Sequence, residues 1–302
     1  MTDYRGLLAE LALPRLAGTP HHARVRDVLK RELAARGFVV MEHRFTGRSL
    51  LHHLGRAPLE GVNLIAVRPR TRVAVWLVAH YDSKGQPISM ATRLVAAGLV
   101  GLGAAELVGL GVRQALGSRH AGAVDAALGA AGVLGGLLLS GNRVTNRSPG
   151  ALDNASGILT ALAVVDALPA LPAARIGVLL PDAEEYGLLG ARALARERGN
   201  LLQDTAVLNF DGIDDRGRAI AFVHRAGPLV ERIAGALGAR RAGWLPVVVD
   251  GLALAKGARE CVTIMRGDWG TARLVHTPRD GAGRLTLQGS AEVARVVAET
   301  LR

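Results

Sequence analysis

Cysteine and aromatic residues are scarce in this chain of 302 residues. The single cysteine, Cys261, excludes an internal disulfide framework and a structural zinc site built from several thiolates. Aromatic residues make up only 3% of the sequence, which weighs against a surface that stacks nucleic-acid bases. Hydrophobic residues make up 49%, enough for a substantial core in one large domain or two small ones.

Acidic residues are fewer than basic residues, 26 against 37, so the formal net charge is +11. Arginine supplies nearly all of the positive charge, but the arginines are scattered and no run of five basic residues occurs. We therefore expect no nucleic-acid partner. The positive charge favours weak attraction to an anionic membrane surface instead. Residues 1–5 lack the start of a secretory signal, so a cytoplasmic location is expected.

Apolar runs and helical patterns alternate along most of the chain. The helical patterns cover residues 4–37, 158–168, 188–198 and 228–237. The runs that predict strands are 38–40, 62–67, 73–79, 176–180, 206–210 and 262–265. This alternation predicts an α/β fold with a mostly parallel central sheet and helices on both faces.

Residues 88–140 break the alternation with two long apolar stretches, about 90–112 and 122–140, joined by a basic turn. Small residues recur at every fourth position, which lets two helices approach closely. Each stretch is near the ~20 residues of a membrane span. Three charged residues interrupt the stretches, namely Arg93, Glu106 and Asp125. Two alternatives stay open: a helical hairpin in or on a membrane, and a soluble hairpin that covers the site or packs in a dimer.

Five side chains of metal-binding type occur near the ends of predicted elements, and they are His80, Asp153, Glu185, Asp211 and His276. Three of them follow predicted strands, and the carboxyl ends of parallel strands are where such a sheet places its site. Two imidazoles and three carboxylates suffice to hold two Zn²⁺ ions if one carboxylate bridges them. Each of these residues taken alone can also be explained by a structural role, such as a helix cap or a solvated acidic pair. The complete set predicts a two-metal hydrolase.

Two further carboxylates stand beside these candidate ligands. Glu184 precedes Glu185, and adjacent side chains should point in different directions, so one can bind metal while the other accepts a proton from water. Asp82 follows His80 by two residues, where a carboxylate behind a ligating imidazole would set its tautomer. The other histidines lack such neighbours and are predicted at the surface, namely His21, His22, His43, His52, His53, His120 and His224.

The motifs resemble those of the zinc exopeptidases of metallopeptidase family 28 in clan MH, the aminopeptidase S and aminopeptidase Y type. The stretches that carry the resemblance are 13–19, 61–66, 79–83, 153–157, 183–190 and 276–280. The resemblance covers nearly the whole chain. It implies a zinc-exopeptidase-like fold, a single domain of residues 1–302 with 88–140 inserted, and aminopeptidase activity on a peptide or aminoacyl substrate.

Carried over residue by residue, the resemblance implies two zinc ions per chain. It assigns one zinc to His80 and Asp211 and the other to Glu185 and His276, with Asp153 as the bridge.

The resemblance also assigns Glu184 as general base and acid, and Asp82 as the residue that orients His80. It implies a cis peptide bond between Asp153 and Asn154.

The chain departs from the family pattern at two places. Val275 replaces a tyrosine that steadies the oxyanion in some members, so another donor would have to be found among Tyr81, Tyr186, Arg266 and Trp269. The insertion 88–140 falls between the first two ligand motifs, so it should lie near the mouth of the site, where it would dock the enzyme on a membrane or cover the cleft.

Two other functions remain as alternatives. One is a glutaminyl cyclase-like acyltransferase with a single zinc, a class that is similar in fold and in the sequence His-Tyr-Asp-Ser-Lys at residues 80–84. A non-catalytic, membrane-associated scaffold would also keep the fold. The stretch 153–157 and the complete set of ligands for both metals favour the hydrolase.

Overall fold

The computed structural model describes residues 2–49, 58–117 and 122–302. Its strands are β1 (Val39–Gly47), β2 (Leu59–Val67), β3 (Val75–Val78), β4 (Ile176–Leu180), β5 (Ala206–Ile213), β6 (Arg218–Arg225), β7 (Arg240–Ala242) and β8 (Glu260–Gly267). They form one sheet in the order β1-β2-β4-β3-β5-β8-β6-β7. Four of its seven strand pairs are parallel, including the three that join β4, β3, β5 and β8 at the centre. The predicted α/β fold with a mostly parallel sheet is confirmed.

The helices are α1 (Tyr4–Leu11), α2 (Pro20–Ala35), α3 (Met90–Ala115), α4 (Ala123–Ser140), α5 (Gly157–Ala167), α6 (Ala170–Ala174), α7 (Leu189–Glu197), α8 (Pro228–Ala236), α9 (Asp250–Leu254), α10 (Trp269–Ala272) and α11 (Gln288–Leu301). They cover both faces of the sheet because side chains alternate along the central strands. In β3, Leu77 packs into the core beneath α1, α2, α5 and α11, whereas Trp76 and Val78 pack on the opposite side with α7 and α9.

Three local predictions need correction. The helical region 4–37 is two helices, because the chain between them turns at Gly18 and α2 begins at Pro20, a residue suited to a helix start. Strands β6 and β7 were missed. Arginines occupy both ends of β6 and the first two positions of β7, which masks their strand character, and pairing with β8 stabilises β6.

The inserted segment forms the predicted helical hairpin from α3 and α4. The two helices touch through glycines: a Cβ on Gly103 would lie 2.7 Å from the Cα of Gly132. Few of the hairpin's other residues are buried, and its large apolar side chains face outward. Both helices are long and apolar enough to cross a membrane, and only 11% and 6% of their most apolar windows are buried.

Candidate metal centre

The five candidate ligands come from five different segments that meet at one edge of the sheet. His80 follows β3, Glu185 lies in the 3-10 turn Glu184–Tyr186 after β4, and Asp211 lies within β5. Asp153 lies in the turn Ala151–Ser156 before α5, and His276 lies in the loop after α10. All five are buried. The sheet topology therefore brings residues that are far apart in sequence into one cluster.

The cluster consists of two groups that share Asp153. His80, Asp153 and Asp211 form one group, and Asp153, Glu185 and His276 form the other; in each, the ligand atoms lie within 4.8 Å of one another. Asp153 Oδ1 lies 3.0 Å from His80 Nε2, and Asp153 Oδ2 lies 2.8 Å from His276 Nε2. One carboxylate thus offers one oxygen to each group, as a bridging ligand does.

The segment around Asp153 is held by hydrogen bonds from several directions. The Asp280 carboxylate accepts hydrogen bonds from the backbone N–H groups of Leu152 at 2.6 Å and Asp153 at 3.2 Å. The Asn154 side chain donates to the carbonyl of Phe210 at 2.8 Å, which ties the turn to β5. The peptide bond between Asp153 and Asn154 is cis, as the resemblance implied.

Asp82 connects the first imidazole to the acidic pair. Its two carboxylate oxygens accept hydrogen bonds from the backbone N–H groups of Glu184 at 3.1 Å and Glu185 at 3.2 Å. Its backbone carbonyl lies 3.2 Å from Nδ1 of His80, and its carboxylate lies 3.4 Å from the same atom. A hydrogen on Nδ1 would leave Nε2, which faces Asp153, free to bind a metal.

The charges of the cluster call for cations. Burial raises the pKa of Glu184 well above its usual range, against the opposing charge of His80. Burial also opposes ionisation of Asp153, but hydrogen bonds from His276 and His80 outweigh it and hold its pKa well below the usual range. Burial lowers the pKa of His80 and His276, but the neighbouring carboxylates outweigh it and raise both above the usual range. Nitrogen and carboxylate donors of this kind suit zinc, so the residues fit two metal ions.

A cleft of about 500 Å³ opens above the cluster. Its base includes Asp153, Glu184 and His276, and its walls are largely apolar. Met90, Arg93 and Leu94 from the first turns of α3 form part of the wall, so the start of the insertion borders the site. A largely apolar cleft with converging polar groups is typical of a small-molecule or peptide site.

A sequence model described as peptidase family M28 matches residues 139–301, more than half of the chain. The chain belongs to peptidase family M28. The resemblance found in the sequence is therefore confirmed at the level of the family. No curated protein sequence matches this M28 chain.

Solved structures similar to this M28 protein include both exopeptidases and cyclases. A Zn-dependent exopeptidase from Parabacteroides distasonis superposes with a TM-score of 0.64 at 18% identity, over 99% of this chain and 96% of that one. A glutaminyl cyclase from Porphyromonas gingivalis gives 0.63 at 18% identity, over 99% and 96%. An aminopeptidase from Aneurinibacillus sp. strain AM-1 gives 0.63 at 12% identity, over 98% and 92%. At these identities the likeness shows the fold alone.

Three residues at the M28 site received no role in the sequence analysis. Lys84 Nζ lies 2.7 Å from Glu185 Oε2, and the Arg93 guanidinium contacts Nδ1 of His276. Asp250 is fully buried, neither of its carboxylate oxygens has a hydrogen-bond partner among the described residues, and burial raises its pKa well above the usual range. A signal for Asp250 was present, because it follows the apolar run 247–249 much as His80 follows 73–79.

The prediction that the remaining histidines are exposed is wrong for His22 and His43. His22 stacks on Tyr81 with ring centroids 4.7 Å apart, and its Nε2 lies 2.8 Å from Asp182 Oδ1. His43 is buried against Glu197, with 3.0 Å between Nε2 and Oε2. Both are covered by elements distant in sequence. His224 is partly buried and His21 is exposed, while His52, His53 and His120 lie outside the described residues.

The four candidate donors to the oxyanion differ in whether they reach the cleft. The Tyr81 hydroxyl donates to the carbonyl of Val62 at 2.6 Å and also lies 3.1 Å from an Asp182 carboxylate oxygen, so it is directed into the core. Arg266 lines the cleft, although one of its nitrogens pairs with Glu292. Tyr186 and Trp269 are not among the described residues that line the cleft.

Proposed function

We propose that this M28 protein is a zinc-dependent exopeptidase, an aminopeptidase that hydrolyses N-terminal peptide bonds. The observation that carries the proposal is the carboxylate of Asp153, whose two oxygens lie 3.0 Å from His80 and 2.8 Å from His276. Asp211 completes one group of ligands and Glu185 the other. Two groups with a shared carboxylate suit two zinc ions.

The chain's own residues would divide the chemistry between them. Zinc held by the two groups would polarise the scissile carbonyl and acidify a water molecule beside it. Glu184 lines the cleft, takes a proton from the attacking water and returns it to the leaving amine. Asp82 holds the Glu184 backbone in place.

A single-zinc, glutaminyl cyclase-like acyltransferase is the second candidate. Lys84 pairs with Glu185, and Arg93 contacts His276, so two cations lie against the same ligand group. Positive charge there opposes a second metal ion in that group. This arrangement favours a single metal more than the ligand set alone does.

Zinc content and product analysis of the same preparation distinguish the aminopeptidase from the cyclase. The full chain would be purified without chelator or nickel, and its zinc measured by elemental analysis. We expect about two zinc ions per chain, with release of free amino acids from aminoacyl p-nitroanilides and short peptides. If the chain holds one zinc ion and cyclises N-terminal glutamine, the protein is a cyclase and not an aminopeptidase. Protein that binds no zinc after zinc dialysis would be a scaffold.

We also propose that α3 and α4 dock the enzyme on a membrane. Gly103 of α3 packs against Gly132 of α4, and the outward side chains include Leu107, Leu134 and Leu137, which are 69%, 54% and 66% exposed. Near the tip, Arg113 Nη2 lies 2.5 Å from carboxylate oxygens of both Glu106 and Asp125, so Arg113 compensates the two acidic charges that interrupt the apolar stretches. Such an apolar surface is stable in lipid and costly in water.

Flotation with anionic lipid vesicles tests the membrane proposal. We expect the full chain to float with the vesicles and the double variant Leu107→Glu, Leu137→Glu to remain in solution. Leu171 lies outside the hairpin and is 85% exposed, so Leu171→Glu is the matched control and should float. A wild-type chain that stays in solution as a dimer would assign the hairpin surface to a second copy instead.

A further inference from the structure

A second cavity, of about 580 Å³, lies beside the catalytic cleft at the base of the hairpin. It is enclosed by the start of α3, the end of α4 and the segment 142–144 that follows. It also shares Lys84, Arg93 and Leu94 with the cleft, so the two spaces adjoin. A ligand could therefore occupy both, with its reacting bond at the metal centre.

The charged side chains that line this second cavity are all cations. They are Lys84, Arg93 and Arg143, and no carboxylate is among the described lining residues. Lys84 is already paired with Glu185, at 2.7 Å. Arg93 and Arg143 have no carboxylate within 4.0 Å in the part of the chain that the structure describes. The cavity thus presents two guanidinium groups without a direct carboxylate partner among the described residues.

Three buried polar atoms in the lining lack a hydrogen-bond partner among the described residues. They are Arg93 Nε, Gln86 Oε1 and Asn142 Oδ1. Buried polar groups are nearly always satisfied, so such a group of atoms indicates a place for a polar ligand. Arg93 Nε–H requires an acceptor, which an oxyanion supplies, and the two amide oxygens accept hydrogen bonds from donors on the same ligand.

We propose that this cavity binds a carboxylate of the substrate close to the scissile bond. The inference rests on the proposed aminopeptidase function and names its substrate class: dipeptides, or short peptides with an acidic side chain next to the bond that is cleaved. Arginine suits this role because its planar fork matches the two oxygens of a carboxylate. Arg93 and Arg143 belong to the insertion and its exit segment, so the hairpin would also determine specificity.

A binding experiment tests the site without relying on catalysis. The full chain as purified would be titrated with N-acetylglycine, with N-acetylglycinamide and with inorganic phosphate in a calorimeter. We expect N-acetylglycine to bind at least about tenfold tighter than the amide, as for a hydrogen bond to a charged group. Arg143→Gln should remove that difference. Arg147→Gln is the control, because Arg147 is exposed nearby and does not line the cavity, and it should behave as wild type.

Three results would overturn the carboxylate site. These are equal binding of the acid and the amide, a preference for the acid that persists in Arg143→Gln, and equal losses in Arg143→Gln and Arg147→Gln. If phosphate binds more tightly than N-acetylglycine, the cavity is a site for a phosphate group and not for a carboxylate. Anionic vesicles that then displace the phosphate would identify a lipid headgroup as its source.

Kinetics connect the site to the reaction. We expect leucylglycine to be cleaved with a kcat/KM at least about tenfold above that of leucylglycinamide. Arg143→Gln should remove this preference through KM, because the lost contact binds the ground state and the transition state alike. If neither compound is cleaved, the aminopeptidase proposal fails, while the calorimetric comparison still decides whether the cavity binds a carboxylate.

Discussion

One carboxylate oxygen of Asp82 accepts a hydrogen bond from the backbone N–H of Glu184, at 3.1 Å. Its other oxygen accepts from Glu185, and the same carboxylate lies 3.4 Å from Nδ1 of His80. Asp82 therefore fixes a candidate ligand from β3 relative to the proposed base and a second ligand that follow β4. Asp82 belongs to neither candidate ligand group, yet it sets the relative positions of a candidate ligand and the proposed base.

Replacing Asp82 by asparagine should weaken the site without removing a ligand. The amide NH₂ would face one of the two backbone N–H donors, so the turn that carries Glu184 should shift. We expect a loss of about 10–100-fold in zinc affinity or in kcat/KM, as for other residues that orient metal ligands. Competition with a chromophoric chelator and steady-state kinetics measure both quantities. Wild-type values in both would show that Asp82 has no positioning role.

Replacing Glu184 by glutamine should separate metal binding from turnover. The amide keeps the shape of the side chain but cannot accept a proton, so zinc content should remain while kcat falls by at least about 10²-fold. Glu185→Gln is the matched comparison, because the adjacent residue belongs to a ligand group and its loss should lower zinc content instead. Near-wild-type kcat in Glu184→Gln would exclude Glu184 as the base.

The shared carboxylate of Asp153 leads to a prediction about metal stoichiometry. Because its oxygens face both groups of ligands, Asp153→Ala should weaken both metal positions. Asp211→Ala should weaken only the one that contains His80. Elemental analysis after zinc dialysis should find less than one zinc per chain in the first variant and about one in the second. Equal zinc contents in the two variants would contradict a bridging role.

The hairpin should open when its glycine contact is filled. A Cβ on Gly103 would lie 2.7 Å from Gly132 Cα, whereas one on Gly101 would meet no atom within 4 Å. We therefore expect Gly103→Val to speed amide hydrogen exchange in α3 and α4 relative to Gly101→Val. Both variants carry the same change in helix propensity, so their difference reports the contact. Identical exchange would show that the helices do not depend on it.

A partly buried histidine predicts how stability changes with pH. Burial lowers the pKa of His224 to about 4, whereas an unfolded chain titrates near ~6.5. Between these values the unfolded state binds more protons, so the free energy of unfolding should rise with pH. The contribution is fully present above ~6.5 and is lost as the pH falls toward 4. Urea unfolding at several pH values should show a shallower rise for His224→Gln, and equal slopes would contradict the assignment.

Much of the fold was predictable because its signals are local. The run 176–180 is apolar at every position, and all five residues are buried in β4. His80 could be placed at a strand end for the same reason, since a polar residue directly after such a run marks the edge of the sheet. Glu185 follows the run 176–180 after four further residues. β6 could not be predicted in this way, because its stability depends on pairing with β8.

Other parts of the site depend on contacts between distant segments. The role of Lys84 as a partner of Glu185 spans 101 residues, and that of Arg93 beside His276 spans 183. Nothing near either cation in the sequence indicates its partner. The burial of His22 likewise follows from stacking on Tyr81, which α2 and the end of β3 bring together.

The spacing of neighbouring residues is enough to predict the alternation of strands and helices, the five candidate ligands and the apolar character of the hairpin, because each of these is a local property of the chain. Contacts between distant segments place Asp153 against both imidazoles, Asp82 against the backbone of the acidic pair, and Arg93 and Arg143 in a cavity beside the cleft. Those relationships depend on the order of strands in the sheet and on where the insertion packs, which pairwise contacts across the whole chain establish.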